Sequence, residues 1–285
     1  MKTAVRSNIL FDDYSAKSIF LTPSLLDRNR LLDIRKDFCM IRTIIVAILI
    51  LFYLVISIPL MFIFWLLEEF TPKAKWWYQV IGMQAMKTIL FASGVKLTVK
   101  GRDKIPTDTA VLFVGNHQSY FDVIIGYALM KRQTGFVAKK SLKKIPVLSW
   151  NMAYMNCLFI DRENMRQGVK TIMQAAELAK NGTSIFIFPE GTRNKSGDET
   201  NLAPFHDGSF KVSQRGKVPI VPVTFNNSES IFEKHIPKII SSKVVVEFGD
   251  PVNWDDMDKA TQKHVGEHFR GIILETLLKN QDLTA

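Results

Sequence analysis

Twenty-five consecutive residues, Thr43–Leu67, carry no charge. Wound as a helix at 1.5 Å per residue, they reach about 37 Å, enough to cross the hydrocarbon core of a bilayer. The run begins too deep in the chain, and is too long, for the apolar core of a cleaved secretory signal. A second apolar stretch, Trp76–Ala92, holds one charge, Lys87, and opens on Trp76-Trp77-Tyr78. Such aromatics favour the headgroup level. Two arrangements fit. A full crossing puts the Arg/Lys-rich N-terminus in the cytoplasm and the following domain on the other side. Alternatively, an anchor enters one leaflet and returns, with Ser57 and Pro59 as candidate kinks. The second is preferred here: a membrane-associated two-helix motif over residues 43–94. Ahead of it, residues 1–42 form an amphipathic, basic segment. Thr22-Pro23 reads as an N-cap and first helical position. Leu31, Ile34, Phe38 and Ile41 recur at helical spacing, with Arg28, Arg30, Arg35, Lys36 and Arg42 nearby. A helix packed on the domain and a helix lying on the membrane surface are equally open.

From Lys96 the pattern changes to short apolar runs alternating with helical ones. Strands are expected at Lys96–Lys100, Ala110–Gly115, Gly135–Ala138, Cys157–Asp161, Ser184–Phe188, Pro219–Phe225 and Val244–Phe248. Helices are expected at Asp122–Met130, Arg162–Lys180, Phe205–Gln214 and near Asp256–Lys279. This alternation predicts an α/β domain over residues 95–285, a sheet layered with helices. The formal net charge of +10 favours anionic partners. No nucleic-acid-binding module is visible, so the expected partner is an anionic membrane surface and no nucleic acid. The two cysteines, Cys39 and Cys157, show no paired spacing, which argues against a disulfide framework or a zinc site and fits a reducing compartment. No glycine-rich phosphate loop supports an ATP or NAD reading.

Two short stretches carry chemistry. Asn116-His117-Gln118-Ser119-Tyr120-Phe121-Asp122 follows the strand-like run Ala110–Gly115. A helix turns about 100° per residue, so His117 and Asp122 share no helical face. They meet only if the chain turns near His117 and a helix starts before Asp122. A carboxylate there can accept from one imidazole nitrogen and leave the other as a base. A structural histidine with Asp122 as a helix cap is equally open on these residues alone. The second stretch, Pro189-Glu190-Gly191-Thr192-Arg193, ends the apolar run Ile185–Phe188. Its glycine permits close approach, and its arginine can fork onto a phosphate.

Between them lies Phe159-Ile160-Asp161-Arg162, and after them Val218-Pro219-Ile220-Val221-Pro222-Val223. In this order, over roughly residues 95–250, the motifs resemble the glycerolipid acyltransferase family, and within it the 1-acylglycerol-3-phosphate acyltransferases. The resemblance implies a mixed α/β sheet of the glycerol-3-phosphate acyltransferase type. It implies transfer of a fatty acyl chain from acyl-CoA or acyl carrier protein to the hydroxyl of lysophosphatidic acid, giving phosphatidic acid. His117 would be the base and Asp122 its orienting acid. Glu190, Gly191, Thr192 and Arg193 would form the acceptor site, with Glu190 on a glycerol hydroxyl or orienting Arg193. Lys139 and Arg162 are further phosphate candidates. No metal and no cofactor beyond the acyl donor is implied. Family members can carry an N-terminal helical hairpin dipped into the membrane, which fits a site on the cytoplasmic face of the inner or plasma membrane. Where the family usually has a glycine just before Phe159, this chain reads Asn156-Cys157-Leu158. With no Gly-x-Ser-x-Gly elbow and no activated cysteine, the hydroxyl is expected to attack the thioester directly. Other acceptors (another lysophospholipid or a lyso-aminolipid), an inactive membrane-binding homologue and a lipid hydrolase are the competing readings; the last lacks a placed serine.

Overall fold

The computed structural model describes residues 25–284, with side chains from residue 38. The proposed cap at Thr22-Pro23, and the side chains of Arg28, Arg30, Leu31, Ile34, Arg35 and Lys36, lie outside the described residues. The chain divides into two units, Met1–Phe38 and Cys39–Ala285; the described part of the first is helical. Along the chain come helices α1 (Leu25–Leu67) and α2 (Ala74–Ala92), then β1 (Lys96–Lys100), β2 (Leu112–Gly115), α3 (Tyr120–Leu129), β3 (Thr134–Lys139), α4 (Pro146–Tyr154), β4 (Leu158–Ile160), α5 (Met165–Lys180), β5 (Ser184–Ile187), α6 (Lys211–Gly216), β6 (Ile220–Asn226), β7 (Lys243–Phe248), α7 (Lys259–Lys263) and α8 (Val265–Asn280).

The strands form one sheet in the order β1-β7-β6-β2-β5-β3-β4. All neighbours run parallel except β6 and β7, which are antiparallel. The sheet is therefore mixed, as the family resemblance implied. Both faces are covered, which explains why its central strands read as unbroken apolar runs. Successive residues of β2 alternate between two cores. Phe113 joins Ile125, Phe136, Phe186, Phe225 and Phe248 on one face. Leu112 and Val114 join Ile172, Ile185, Phe210, Phe269 and Ile273 on the other. Phe136 and Phe186 stack with ring centroids 4.7 Å apart, tying β3 to β5.

Seven strands lie where seven were expected, with ends shifted by one or two residues. Three helical expectations need correction. The stretch Phe205–Gln214 is a 3-10 turn, Asp207–Phe210, followed by the short α6. The closing helix breaks at His264, whose backbone leaves the helical region, and Asp258 caps the piece before the break by accepting from Thr261 N at 2.7 Å. Helix α4 was not foreseen, although Pro146 sits at its first turn, where a missing N–H costs nothing.

The apolar run is one helix, continuous through Ser57 and Pro59. It does not fold back within itself; the return leg is α2. Phe38–Leu67 is long and apolar enough to cross a membrane, and only 11% of its most apolar window is buried in protein. That bare surface marks it as a membrane-associated element. Its contact with the rest of the chain is both apolar and polar: Val46 joins the core on one face of the sheet, with Leu49, Leu60, Met61 and Phe64 packed against it. Ser57 is fully buried, and its hydroxyl accepts from Asn151 Nδ2 of α4 at 2.8 Å. Asn151 Oδ1 in turn accepts from Tyr78 of α2.

Helix α2 has two sides: its buried face, including Tyr78, Gly82, Met83 and Leu90, is docked on the sheet layer, while Trp77, Ile81 and Phe91 stay exposed. The docking has a polar pin. Gln79 Nε2 donates to Thr134 O at 3.2 Å, and Thr134 N donates to Gln79 Oε1 at 3.1 Å. Both groups are fully buried. Gln79→Ala leaves the Thr134 N–H without its partner, which costs about 1–3 kcal/mol. Denaturant unfolding in detergent should show a lower midpoint at unchanged slope, while Gln84→Ala, on the exposed face of the same helix, leaves the midpoint in place. Equal midpoints for the two variants would refute the pin.

Candidate active site

Strand β2 ends at Gly115, and the chain must turn at once to start α3. Asn116 fixes that turn. Its side chain donates to Phe225 O and accepts from Phe225 N, both at 2.9 Å, mimicking one more rung of the β2–β6 ladder. Gln118 Nε2 adds a bond to the same carbonyl at 2.8 Å. Ser119 then caps α3, accepting from Phe121 N at 3.0 Å. Asp122 closes a capping box and is fully buried.

Asp122 does more than cap. Its Oδ2 accepts from Gln118 N and Ser119 N, both at 2.7 Å, and from His117 Nδ1 at 2.9 Å. Its Oδ1 accepts from the Ser228 hydroxyl. The two readings left open by the sequence are thus one geometry: the cap is also the partner of the imidazole. A carboxylate accepts and does not donate, so the neutral imidazole carries its hydrogen on Nδ1. Nε2 is left as an acceptor with no bond among the described residues. The ring is 16% exposed and stacks on Phe188 with centroids 4.2 Å apart.

The loop after β5 grips the backbone of the same histidine. Glu190 Oε1 accepts from His117 N at 2.8 Å, and Asn194 N donates to His117 O at 2.7 Å. The other oxygen of Glu190 accepts from Ala203 N at 3.0 Å. Burial pushes the Glu190 carboxyl above its ordinary value, and the two backbone N–H groups oppose that rise. Glu190 therefore faces neither Arg193 nor open space, contrary to both suggestions drawn from the sequence. Gly191 has φ of 73°, a left-handed conformation in which a side chain would be strained. Thr192 is exposed. Arg193 NH1 donates to Glu233 Oε1 at 3.0 Å, and its guanidinium lies 3.7 Å over the Tyr120 ring.

Arg162 and Lys139 sit at the carboxyl ends of neighbouring strands, since Lys139 of β3 is in register with Ile160 of β4. Lys139 is exposed and meets no acid among the described residues. Arg162 borders Gly191: a Cβ there would lie 3.9 Å from its Nε. Asn156, in the stretch just before Phe159, has φ of 61°, a left-handed backbone that asparagine tolerates. Its carbonyl presses on Gly135, where a Cβ would come within 2.1 Å.

His117 lies just beyond the carboxyl end of β2, Glu190–Arg193 beyond that of β5 and Arg162 beyond that of β4, while Lys139 ends β3; these four strands are adjacent in the sheet. A cavity of about 450 Å³ opens beside them, lined by Ile160, Val169, Met173, Phe188, Gly191 and His206 among others. Phe188 joins the two places, with its ring on His117 and its edge in the cavity wall. A second hollow of about 320 Å³, between Phe205 and α8, holds none of these groups. Neither cysteine is placed as a nucleophile: Cys157 is buried against the Tyr127 hydroxyl, and burial pushes its thiol up. Ser228 and Glu233 were missed in the sequence, where they stand more than a hundred residues from the groups they bind in α3.

Residues 96–226 match the family model described as Acyltransferase. A 1-acyl-sn-glycerol-3-phosphate acyltransferase of Saccharomyces cerevisiae is 29% identical over 185 residues, covering 65% of this chain and 60% of the relative. One from Borreliella burgdorferi is 33% identical over 151 residues, covering 53% and 59%. A chloroplastic one from Brassica napus is 35% identical over 139 residues, covering 48% and 39%. The chain thus spans between about two fifths and three fifths of these relatives. The crystal structure of the 1-acyl-sn-glycerophosphate acyltransferase PlsC from Thermotoga maritima shares the fold with a TM-score of 0.73 at 21% identity, covering 87% of this chain and 99% of that one.

Among the described residues, the hydrogen on Nδ1 of His117 is held by Asp122 alone. Asp122→Asn presents an amide whose NH₂ can turn toward the ring and make Nδ1 an acceptor. Ring ¹⁵N shifts of His117 above its titration should show the Nδ1–H form in the parent and a shift toward Nε2–H in the variant. The same tautomer in both proteins would contradict the assignment.

Proposed function

We propose that this chain transfers a fatty acyl group from a soluble thioester donor to the free hydroxyl of lysophosphatidic acid, giving phosphatidic acid. The observation that carries the reading is the His117–Asp122 pair, with Nε2 free of any bond among the described residues and the basic residues Arg193 and Arg162 at the same loop. The names of the yeast, bacterial and plant relatives support the acceptor.

His117 Nε2 takes the hydroxyl proton as the oxygen attacks the thioester carbonyl. Asp122 stabilises the imidazolium that forms. As the tetrahedral intermediate collapses, the new C–O bond stays, the C–S bond breaks, and the proton passes from Nε2 to the leaving sulfur. No group of the protein is acylated. Glu190 and Asn194 hold the peptide of His117 while this happens, so the ring is aimed from both its side chain and its backbone.

Arg193, with Gly191 allowing close approach, is the cation for the acceptor phosphate. Lys139 and Arg162 add positive charge at the neighbouring strand ends. Thr192 lies between Gly191 and Arg193, exposed toward an incoming ligand. The apolar cavity beside Phe188 takes fatty chain; its volume falls within the range of ligand clefts, about 300–1,000 Å³. The donor is acyl-CoA or acyl carrier protein, and the protein itself supplies all other groups. The acceptor resides in a bilayer and the donor in the cytoplasm. Helix α1 and the exposed side of α2 therefore anchor the domain on the cytoplasmic face, and the net charge of +10 draws it to anionic lipid and not to nucleic acid.

His117→Ala removes the base. Purified protein, given labelled acyl-CoA or acyl carrier protein with lysophosphatidic acid in mixed micelles, should lose turnover by roughly 10²–10⁴-fold. The variant should remain folded, with an unfolding free energy lowered by about 1–3 kcal/mol for the donor that Asp122 loses. A folded variant with turnover near the parent's would remove His117 from the mechanism.

A further inference from the structure

Glu233 lies outside the motifs and yet bonds three groups of this site. It follows β6 in a short 3-10 turn, Glu233–His235, and its side chain is 15% exposed. Oε1 accepts from Arg193 NH1 at 3.0 Å and from Tyr120 N at 2.7 Å. Oε2 accepts from the Ser119 hydroxyl at 2.6 Å. One carboxylate thus joins the loop that carries Arg193 to the first turn of α3, the turn that carries Asp122.

The consequence for Arg193 is geometric. Glu233 holds the guanidinium in its own plane through NH1. Tyr120 holds it from one face, at 3.7 Å. Lateral motion and tilt are both restrained, while NH2 and Nε have no bond among the described residues. Those two donors form the edge that a phosphate binds bidentately. A flexible arginine would lose rotamer freedom on binding; a pre-held one does not.

We propose that Glu233, with Tyr120 as its backstop, is a positioning residue for the acceptor phosphate. It sets the separation between the free edge of Arg193 and the base His117. Two features of one acceptor are measured by that separation: its hydroxyl and its phosphate monoester. The proposal rests on Arg193 binding that phosphate.

The test is steady-state kinetics of the full chain in mixed micelles, with lysophosphatidic acid and, separately, monoacylglycerol, which has the hydroxyl and lacks the phosphate. Glu233→Gln keeps an acceptor for Tyr120 N but removes the charge that holds Arg193. It should raise the KM for lysophosphatidic acid roughly 5- to 30-fold, leave the donor KM in place and change kcat less than about twofold. Use of monoacylglycerol should not change. Tyr120→Leu, which keeps every backbone bond, should give the same signature and guards against a Glu233 variant that fails to fold. In an Arg193→Ala background, Glu233→Gln should add less than about twofold. An unchanged or lowered acceptor KM in both Glu233→Gln and Tyr120→Leu would overturn the proposal, as would full additivity with Arg193→Ala. If Arg193→Ala itself leaves the acceptor KM unchanged, the phosphate reading of Arg193 fails; if it raises KM and the other two variants do not, only the role of Glu233 fails.

Discussion

A fully buried carboxylate in this domain has to be met by donors, and the site is arranged around that requirement. Asp122 collects four: two backbone N–H groups of its own turn, the Ser228 hydroxyl and His117 Nδ1. Each buried polar group left unpaired costs about 1–3 kcal/mol, and more when it is charged. The turn after β2, the cap of α3 and the orientation of the imidazole are therefore coupled. None of them can relax without leaving Asp122 short of a partner. Ser228 brings the segment after β6 into the same arrangement, so one side chain draws on two loops.

The His117 backbone is constrained in the same way by the loop after β5. Glu190 and Asn194 take its N–H and its carbonyl, and Arg193 in that loop is tied through Glu233 back to α3. The base and the cationic fork are thus parts of one hydrogen-bonded frame at the carboxyl ends of adjacent parallel strands. The sheet beneath them is rigid: its aromatic core, Phe113, Phe136, Phe186 and Phe225, sits directly under Phe188 and the imidazole. The α1–α2 pair joins this body through buried polar contacts at Ser57, Tyr78, Asn151 and Gln79.

How much of this can be read from the chain depends on range. Strands buried on both faces announce themselves as apolar runs, and all seven were legible. The His117–Asp122 contact was legible because five residues of separation demand a turn and a helix start between them. Contacts made by backbone groups were not. Glu190 looks like a ligand or an ion-pair partner by residue type, yet its oxygens meet peptide N–H groups, which every residue carries. Ser228 and Glu233 follow no spacing rule, because their partners come near only through sheet order. Asn156 was legible as an oddity and not as a solution: only the backbone angle shows that it takes a left-handed conformation. The breaks at His264 and before α6 were lost for the same reason, since helical periodicity continues across them.

In the proposed reaction, His117 Nε2 receives the acceptor proton and the protein is never itself acylated. Rapid quench followed by intact-protein mass measurement tests this most directly. With the acyl thioester donor alone, the protein should keep its unmodified mass at every time point. With lysophosphatidic acid added, product should rise without an initial burst. A stoichiometric mass increase of one acyl group, formed before acceptor is added and lost as product appears, would contradict direct transfer.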